Sequence, residues 1–222
     1  MMLFSQVQAA SVDTVKAAIV KHSIEMGVDP AITLSLAKTE SGYRHETKSP
    51  YGAIGVFQLM PSTARRMGLN PYSLDDNIKG GIMYYKSMYK MFGSIQLAVA
   101  AYNAGPAIVK KYNAVPPFTE TKKFVSRIMA DYHYLKAHTD PAVTAYMKAK
   151  KEHEQKKLAQ QQKLKESMPA KSIVNVAEVQ TPETKTTAPA VLANAKAPEP
   201  AVKNEKTNLN VSDLKKPENT EM

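Results

Sequence analysis

Apolar residues recur at helical spacing through the first 140 residues of the 222-residue chain, in segments separated by Gly and Pro. Asp29 and Pro30 are residue types preferred as the N-cap and first residue of a helix, and Gly42 ends the segment that follows them. We expect Gly105-Pro106 to end a later segment. The helical segments lie near residues 12–26, 30–41, 61–67, 77–92, 95–104 and 121–138. No segment has the period of two that is typical of a strand, so the pattern predicts a mainly α-helical domain.

The composition changes beyond residue 140. All nine Gly and all but one of the sixteen Phe and Tyr residues precede residue 141. Residues 141–167 contain good helix formers but almost no apolar stripe, whereas residues 168–222 are rich in Pro, Ala, Lys and Thr and lack aromatic residues. We therefore expect a folded domain at 1–140, an exposed charged helix at 141–167 and a disordered basic tail at 168–222.

Basic residues outnumber acidic ones, with 30 Lys and Arg against 20 Asp and Glu and a formal net charge of +10. This charge favours polyanionic surroundings, which include nucleic acid, anionic lipid and bacterial wall polymers. We interpret the lysines from Lys148 to Lys157 as a solvated helix face, so nucleic acid is not an expected partner.

Several classes of protein are excluded by what the sequence lacks. There is no Cys, which excludes disulfides, thiolate metal sites and Cys nucleophiles. The five His have no metal-ligand spacing, and no Gly-rich phosphate-binding pattern occurs, so no metal or cofactor is expected. No apolar run approaches the roughly 18 residues of a transmembrane segment. The N-terminus lacks the basic and apolar regions of a conventional signal peptide, although Gln8-Ala9-Ala10 weakly resembles a cleavage site.

Glu40 is the first candidate for chemistry. It falls in the last turn of a short, mostly apolar helix, where a carboxylate opposes the helix macrodipole. Partial burial against apolar neighbours favours retention of the proton, and a carboxyl that keeps its proton near neutral pH can act as a general acid toward a glycosidic oxygen.

The sequence around Glu40 resembles the soluble lytic transglycosylase family over about residues 18–137. The resemblance rests on Glu40-Ser41-Gly42-Tyr43 and on the stretch SPYGAIGVFQLMPSTA at residues 49–64. It continues with AYNAGP at residues 101–106 and Glu120-Thr121, and a further match, Asp76-Asn77-Ile78 with Gly81, lies between these blocks. Blocks in this order and spacing are more specific than any one of them alone.

This resemblance implies a lysozyme-like, goose-type helical domain that cleaves the MurNAc-GlcNAc β-1,4 bond of peptidoglycan. The product is a 1,6-anhydro-MurNAc end. Glu40 would be the single acid and base, because an intramolecular C6 hydroxyl takes the place of water as the nucleophile. The expected partner is the peptidoglycan glycan strand.

The same resemblance assigns the other site residues. Ser49, Gln58, Tyr102 and Asn103 would bind substrate. The supporting residues would be Ser41, Phe57, Met60 and Glu120. The family often has Leu-Met where this chain has Val56-Phe57, and we expect the aromatic residue to keep the wall of the groove but change its shape.

Two other functions stay open at this point. The first is a hydrolytic muramidase similar to goose-type lysozyme, with a second carboxylate among Glu46, Asp75, Asp76 and Glu120. We interpret Asp75 and Asp76 as a helix N-cap pair and Glu120 as a supporting group. The second is a non-catalytic module that binds the wall or forms part of a virion.

The expected place of action is the periplasm or the cell wall. Because the sequence lacks an evident signal peptide, we expect a specialised delivery route. The candidates are carriage in a phage particle and a conjugation or secretion apparatus, with the tail as a docking arm.

Overall fold

The computed structural model describes residues 10–167. Of these, residues 10–154 belong to one compact unit and residues 155–167 to a second. The helices are α1 (Val12–Glu25), α2 (Pro30–Ser41), α3 (Pro61–Arg66), α4 (Leu74–Phe92), α5 (Ile95–Ala104), α6 (Pro106–Tyr112), α7 (Thr119–Ala137) and α8 (Pro141–Ser167). The described residues form no strand, and the prediction of a mainly helical fold is confirmed.

Helix α2 is mostly buried in the compact unit. Every residue from Ala31 to Ala37 is buried, because α1 packs on one side of the helix and α7 on another. Asp29 caps its N-terminus by accepting the N–H of Ala31 at 2.9 Å, as predicted. The helix ends at Gly42, whose φ of 62° is in the left-handed region that favours glycine. A buried helix with fixed ends therefore presents its last turn, which contains Glu40, at a defined place.

One local prediction was wrong. The N-cap of α4 is Ser73, whose Oγ accepts the N–H of Asp76, so Asp75 and Asp76 lie inside the first helical turn. Gly105-Pro106 ends α5 as predicted, and Pro106 also begins α6, which was not predicted, because Pro suits the first position of a helix as well as a break.

Helix α8 is exposed over most of its length. Ala142, Val143 and Tyr146 pack partly against the core of the compact unit, and residues 147–165 are all exposed. The prediction of an exposed helix is confirmed, while the domain boundary at residue 140 stays a prediction. The predicted disordered tail at 168–222 lies outside the described residues, as do the first nine residues. Within residues 10–167, none of the helices combines the length and the apolar character that crossing a membrane requires.

Candidate active site

The candidate site lies where the end of α2 meets a loop without helix, residues 43–60. Glu40 is half-buried, and its Oε1 atom is shielded from solvent. The next residue, Ser41, is buried and donates its hydroxyl to the carbonyl of Val56 at 2.9 Å. The hydroxyl therefore ties the helix turn that carries Glu40 to the middle of the loop.

Asn77, in the first turns of α4, holds the other side of this loop. Its Oδ1 accepts the N–H of Phe57 at 3.0 Å, and its Nδ2 donates to the carbonyls of Ile54 at 2.8 Å and Pro71 at 3.0 Å. The side chain is fully buried, so each of these bonds satisfies a group that has no access to water. Gly55 leaves the space for it, since a Cβ there would lie 2.6 Å from Nδ2.

Tyr102, on α5, is a buried strut beneath the loop. Its side chain is 2% exposed, its hydroxyl donates to the carbonyl of Phe57 at 2.9 Å, and its ring packs edge-on against Tyr84. Burial raises the pKa of Tyr102 well above its usual value, and the charge of Glu40 raises it further. The phenol therefore stays neutral and lies within electrostatic range of Glu40.

Gln58 and Ser49 shape the loop from inside. Gln58 is 6% exposed, has a left-handed backbone with φ of 45°, and donates from Nε2 to the carbonyls of Gly55 at 2.9 Å and Thr47 at 3.2 Å. Its Oε1 is the atom that can accept a hydrogen bond from a sugar amide or hydroxyl. Ser49 Oγ accepts the N–H of Ala53 at 3.0 Å, which leaves the hydroxyl hydrogen to donate.

Asn103 joins this region to α7. Its Oδ1 accepts the hydroxyl of Thr121 at 2.8 Å, and Thr121 is buried in the first turn of α7. Glu120 precedes Thr121 and is exposed. The bond leaves the Nδ2 hydrogens of Asn103 as donors toward a ligand.

Two of the supporting residues lie in different surroundings. Phe57 is fully buried and packs against Gly81 of α4, so its side chain belongs to the core and not to the wall of a groove. The expectation of an aromatic groove wall at this position is therefore wrong. Met60 is half-buried and is the N-cap residue of α3, where its carbonyl accepts the N–H of Ala64.

The residues predicted for the site thus fall into two connected groups. Ser41, Phe57 and Tyr102 are linked through hydrogen bonds of the loop, with Glu40 beside them, and Gln58 and Ser49 lie in the same loop. Asn103 bonds to Thr121 at the start of α7, and Glu120 is the residue before Thr121. Asn77, Thr47 and Thr121 also belong to this framework, although the sequence predicted no role for them. The family match at Asp76-Asn77-Ile78 included Asn77 but did not indicate what this residue does.

Other titratable groups are engaged elsewhere. Asp75 accepts hydrogen bonds from His22 at 2.6 Å and from Lys79 at 2.5 Å. Both bonds lower the pKa of Asp75, and the bond from Lys79 has the larger effect. A surface cavity of 160 Å³ lies at the other end of α2, where Asp29 and Asp140 pair with Lys136 and Lys16. No group of three or more His, Asp or Glu in residues 10–167 is placed to hold a metal ion.

Part of this chain is similar to known proteins. The family model of the transglycosylase SLT domain matches residues 17–125. A transglycosylase of Enterobacteria phage PRD1 is 30% identical over 123 residues, which are 55% of this chain and 44% of that protein. The soluble lytic murein transglycosylase of Salmonella typhimurium is 31% identical over 134 residues, which are 48% of this chain and 21% of that protein.

Solved structures agree with these matches. The 70 kDa soluble lytic transglycosylase of Escherichia coli has a TM-score of 0.50 and 26% identity, over 57% of this chain and 25% of that one. An inactive mutant of lytic transglycosylase Slt from Pseudomonas aeruginosa gives the same score and identity, over 58% of this chain and 25% of that one. This chain spans less than half the length of each of these relatives. The lysozyme-like helical fold is confirmed, and residues 17–125 of this chain match the family of the transglycosylase SLT domain.

Proposed function

We propose that this chain is a peptidoglycan lytic transglycosylase, which cleaves the MurNAc-GlcNAc β-1,4 bond and leaves a 1,6-anhydro-MurNAc end. One observation carries the proposal. Glu40 ends a buried helix, its Oε1 is shielded from solvent, and it lies within electrostatic range of the neutral phenol of Tyr102. The relatives are named as a transglycosylase and as soluble lytic murein transglycosylases, which supports peptidoglycan as the substrate.

The reaction needs one carboxyl group that first gives and then takes a proton. Protonated Glu40 donates its proton to the glycosidic oxygen as the bond between that oxygen and C1 of MurNAc breaks. The C6 hydroxyl of the same MurNAc then attacks C1, and its proton returns to Glu40. No water is consumed, and the intramolecular nucleophile supplies much of the rate through proximity.

The loop frame supplies orientation around this proton transfer. Ser49 and Asn103 retain hydrogen-bond donors, and Gln58 retains its Oε1 as an acceptor, so the three can bind the amide and hydroxyl groups of the sugars. The ring of Tyr102 is buried and cannot stack on a sugar. Its hydroxyl instead holds the loop in place through the hydrogen bond to the carbonyl of Phe57.

The contacts of the other carboxylates favour this reaction over a hydrolase with two acids. Asp75 is bound to His22 and Lys79, and Asp76 accepts the N–H of Asn70 at 3.0 Å. Glu46 is exposed in the loop, where solvation favours an ordinary surface role.

The test replaces Glu40 by Gln and digests purified sacculi. We expect Glu40→Gln to lower turnover by about a thousandfold with unchanged thermal unfolding, because the amide keeps the shape but cannot transfer the proton. Glu154→Gln, on the exposed part of α8, is the matched control and should keep full activity.

Mass spectrometry of the products separates the alternatives. Anhydro-MurNAc ends are expected from the unaltered protein. Reducing MurNAc ends would identify a hydrolytic muramidase, and failure of the unaltered protein to clear a peptidoglycan gel would identify a non-catalytic wall-binding or virion module.

The biological role that fits this activity is local opening of the cell wall, for passage of a phage genome or assembly of a conjugation or secretion apparatus. The relative from phage PRD1 supports delivery in a virion. Mass spectrometry of purified virions and of isolated secretion complexes tests this role, and absence of the protein from both would contradict it.

A further inference from the structure

Helix α7 has a cationic stripe that the proposed reaction does not use. The side of the helix formed by Thr121, Val125 and Ile128 is buried in the compact unit. Lys123 and Arg127 are four residues apart, so they lie on one face, and both are exposed. Glu120 precedes Lys123 by three residues and shares this face. The stripe therefore begins beside a predicted site residue.

Two ion pairs fix where this stripe lies relative to Glu40. Lys136 of α7 pairs with Asp29 at the start of α2, and Asp131 of α7 pairs with Lys38 near the end of α2. The two helices are therefore antiparallel. Arg127 is one helical turn beyond Asp131, which places its backbone level with the end of α2, where Glu40 follows Lys38 by two residues.

The neighbourhood of the stripe is strongly basic. Between Lys110 and Arg127 the chain has five cations and a single acid, Glu120. All five cations are exposed. The end of α6 adjoins the start of α7, because the rings of Tyr112 and Phe118 meet edge-on with centroids 5.9 Å apart. The surface beside the candidate site therefore attracts anions, whereas Lys38, near the end of α2, is used in its ion pair with Asp131.

The occupant of this surface must be anionic and attached to the substrate. The glycan itself is uncharged, because the carboxyl of its muramic acid forms an amide bond with the stem peptide. The stem peptides carry free carboxylates at intervals along the strand. We infer that Lys123 and Arg127 bind the carboxylates of the stem peptides, and so favour glycan whose stem peptides carry free carboxylates. This inference rests on the proposed function, since it assumes that peptidoglycan occupies the site.

The test changes charge on both partners. Soluble peptidoglycan fragments are compared with the same fragments after their carboxylates are converted to methylamides. We expect the KM of the unaltered protein to be about fivefold higher for the capped fragments at low ionic strength, with kcat unchanged. Lys123→Gln combined with Arg127→Gln should raise the KM for native fragments by a similar factor and remove the preference between the two substrates. High salt should also remove the preference.

The control removes the same charge elsewhere. Lys148→Gln combined with Lys151→Gln on α8 should keep the preference of the unaltered protein. The inference is overturned if the α7 pair retains the preference, if the α8 pair loses it equally, or if the α7 pair lowers kcat on both substrates. It is also overturned if the α7 pair abolishes binding to duplex DNA but leaves binding of native fragments unchanged.

A binding measurement separates this inference from the proposed reaction. Calorimetric titration of Glu40→Gln with native and capped fragments should give the same fivefold preference, and equal affinities would overturn the inference. Failure of the unaltered protein to cleave either substrate would overturn the proposed function while this binding result still decides the role of α7.

Discussion

The loop at residues 43–60 and helix α8 show that a regular backbone and burial do not go together. The loop has no regular helix or strand, yet every residue from Ala53 to Leu59 is buried and its backbone is held by Ser41, Asn77 and Tyr102. Helix α8 is regular over 27 residues, yet residues 147–165 are all exposed. The position of a side chain is therefore fixed by burial and by bonds to other elements, and not by the regularity of its own backbone.

The difference explains why the proposed chemistry lies at the loop. A catalytic group must be held close to one geometry, and hydrogen bonds from three separate elements supply this precision to the loop. In residues 147–165 of α8, by contrast, no side chain is buried. Substitutions at matched residue types in the two regions should therefore have very different costs.

Asn77 provides the largest contrast. Asn77→Ala removes three hydrogen bonds and leaves the N–H of Phe57 and the carbonyls of Ile54 and Pro71 buried without that partner. We expect the free energy of unfolding to fall by about 4 kcal/mol, measured by urea denaturation. Gln161→Ala, at an exposed amide of α8, should change it by less than about 0.5 kcal/mol. Similar losses for both variants would contradict the comparison.

Leucine allows the same comparison for packing. Leu59 of the loop is 2% exposed and packs against Gly80 of α4, whereas Leu158 of α8 is 57% exposed. Leu59→Ala should cost about 3 kcal/mol, because it removes buried apolar surface and leaves a cavity. Leu158→Ala should stay within about 0.5 kcal/mol. Thermal and urea unfolding measure both, and a costly Leu158→Ala would mean that α8 is covered in solution.

Two glycines, Gly55 and Gly93, separate the cost of crowding from the cost of backbone strain. Gly55 and Gly93 have similar φ values of 75° and 64°, but a Cβ at Gly55 would meet Asn77 at 2.6 Å whereas nothing lies within 4 Å at Gly93. Both Ala variants incur the cost of a left-handed backbone. Gly55→Ala should be about 2 kcal/mol more destabilising than Gly93→Ala, because it also displaces Asn77. Equal losses in urea unfolding would indicate that strain alone decides.

Features set by local sequence could be predicted. Helix α2 follows from its apolar residues, the Asp29-Pro30 start and the Gly42 stop, which are all neighbours in the chain. The choice of Ser73 over Asp75 as N-cap could not be predicted, because both residue types cap helices well and only the backbone path decides. The seven-residue helix α6 is too short to give a periodic signal after a Gly-Pro break.

The candidate site could be predicted as a set of residues but not as a framework. Resemblance to the family grouped Glu40 with Tyr102, although 62 positions separate them in the chain. It did not indicate that Tyr102 is a buried strut, that Phe57 lies in the core, or that Asn77 holds the loop. These roles depend on which backbone groups the fold buries, and sequence patterns do not contain that information.

Among the substitutions that affect the loop, Tyr102→Phe should lower the stability least, and its effect depends on pH. Tyr102→Phe removes the hydrogen bond to the carbonyl of Phe57 but keeps the ring against Tyr84, so we expect a loss of about 1 kcal/mol at neutral pH. Burial raises the pKa of Tyr102 in the folded protein. Below the ordinary tyrosine pKa of about 10, both the folded and unfolded states are neutral and the difference between the variants is constant.

Above that pH, proton linkage decides whether the stability difference between the two variants grows or shrinks. The unfolded state of the unaltered protein ionises at Tyr102 while the folded state does not, so its stability falls as the pH rises, whereas Phe cannot ionise. At about pH 10.5 this residue contributes a loss of about 0.8 kcal/mol, which nearly closes the difference between the two variants. The other tyrosines whose pKa is raised by burial are the partly buried Tyr43 and the buried Tyr84 and Tyr85, and they affect both variants equally. Urea unfolding at both pH values measures the change, and a difference that persists at the higher pH would mean that water reaches the phenol beneath the loop.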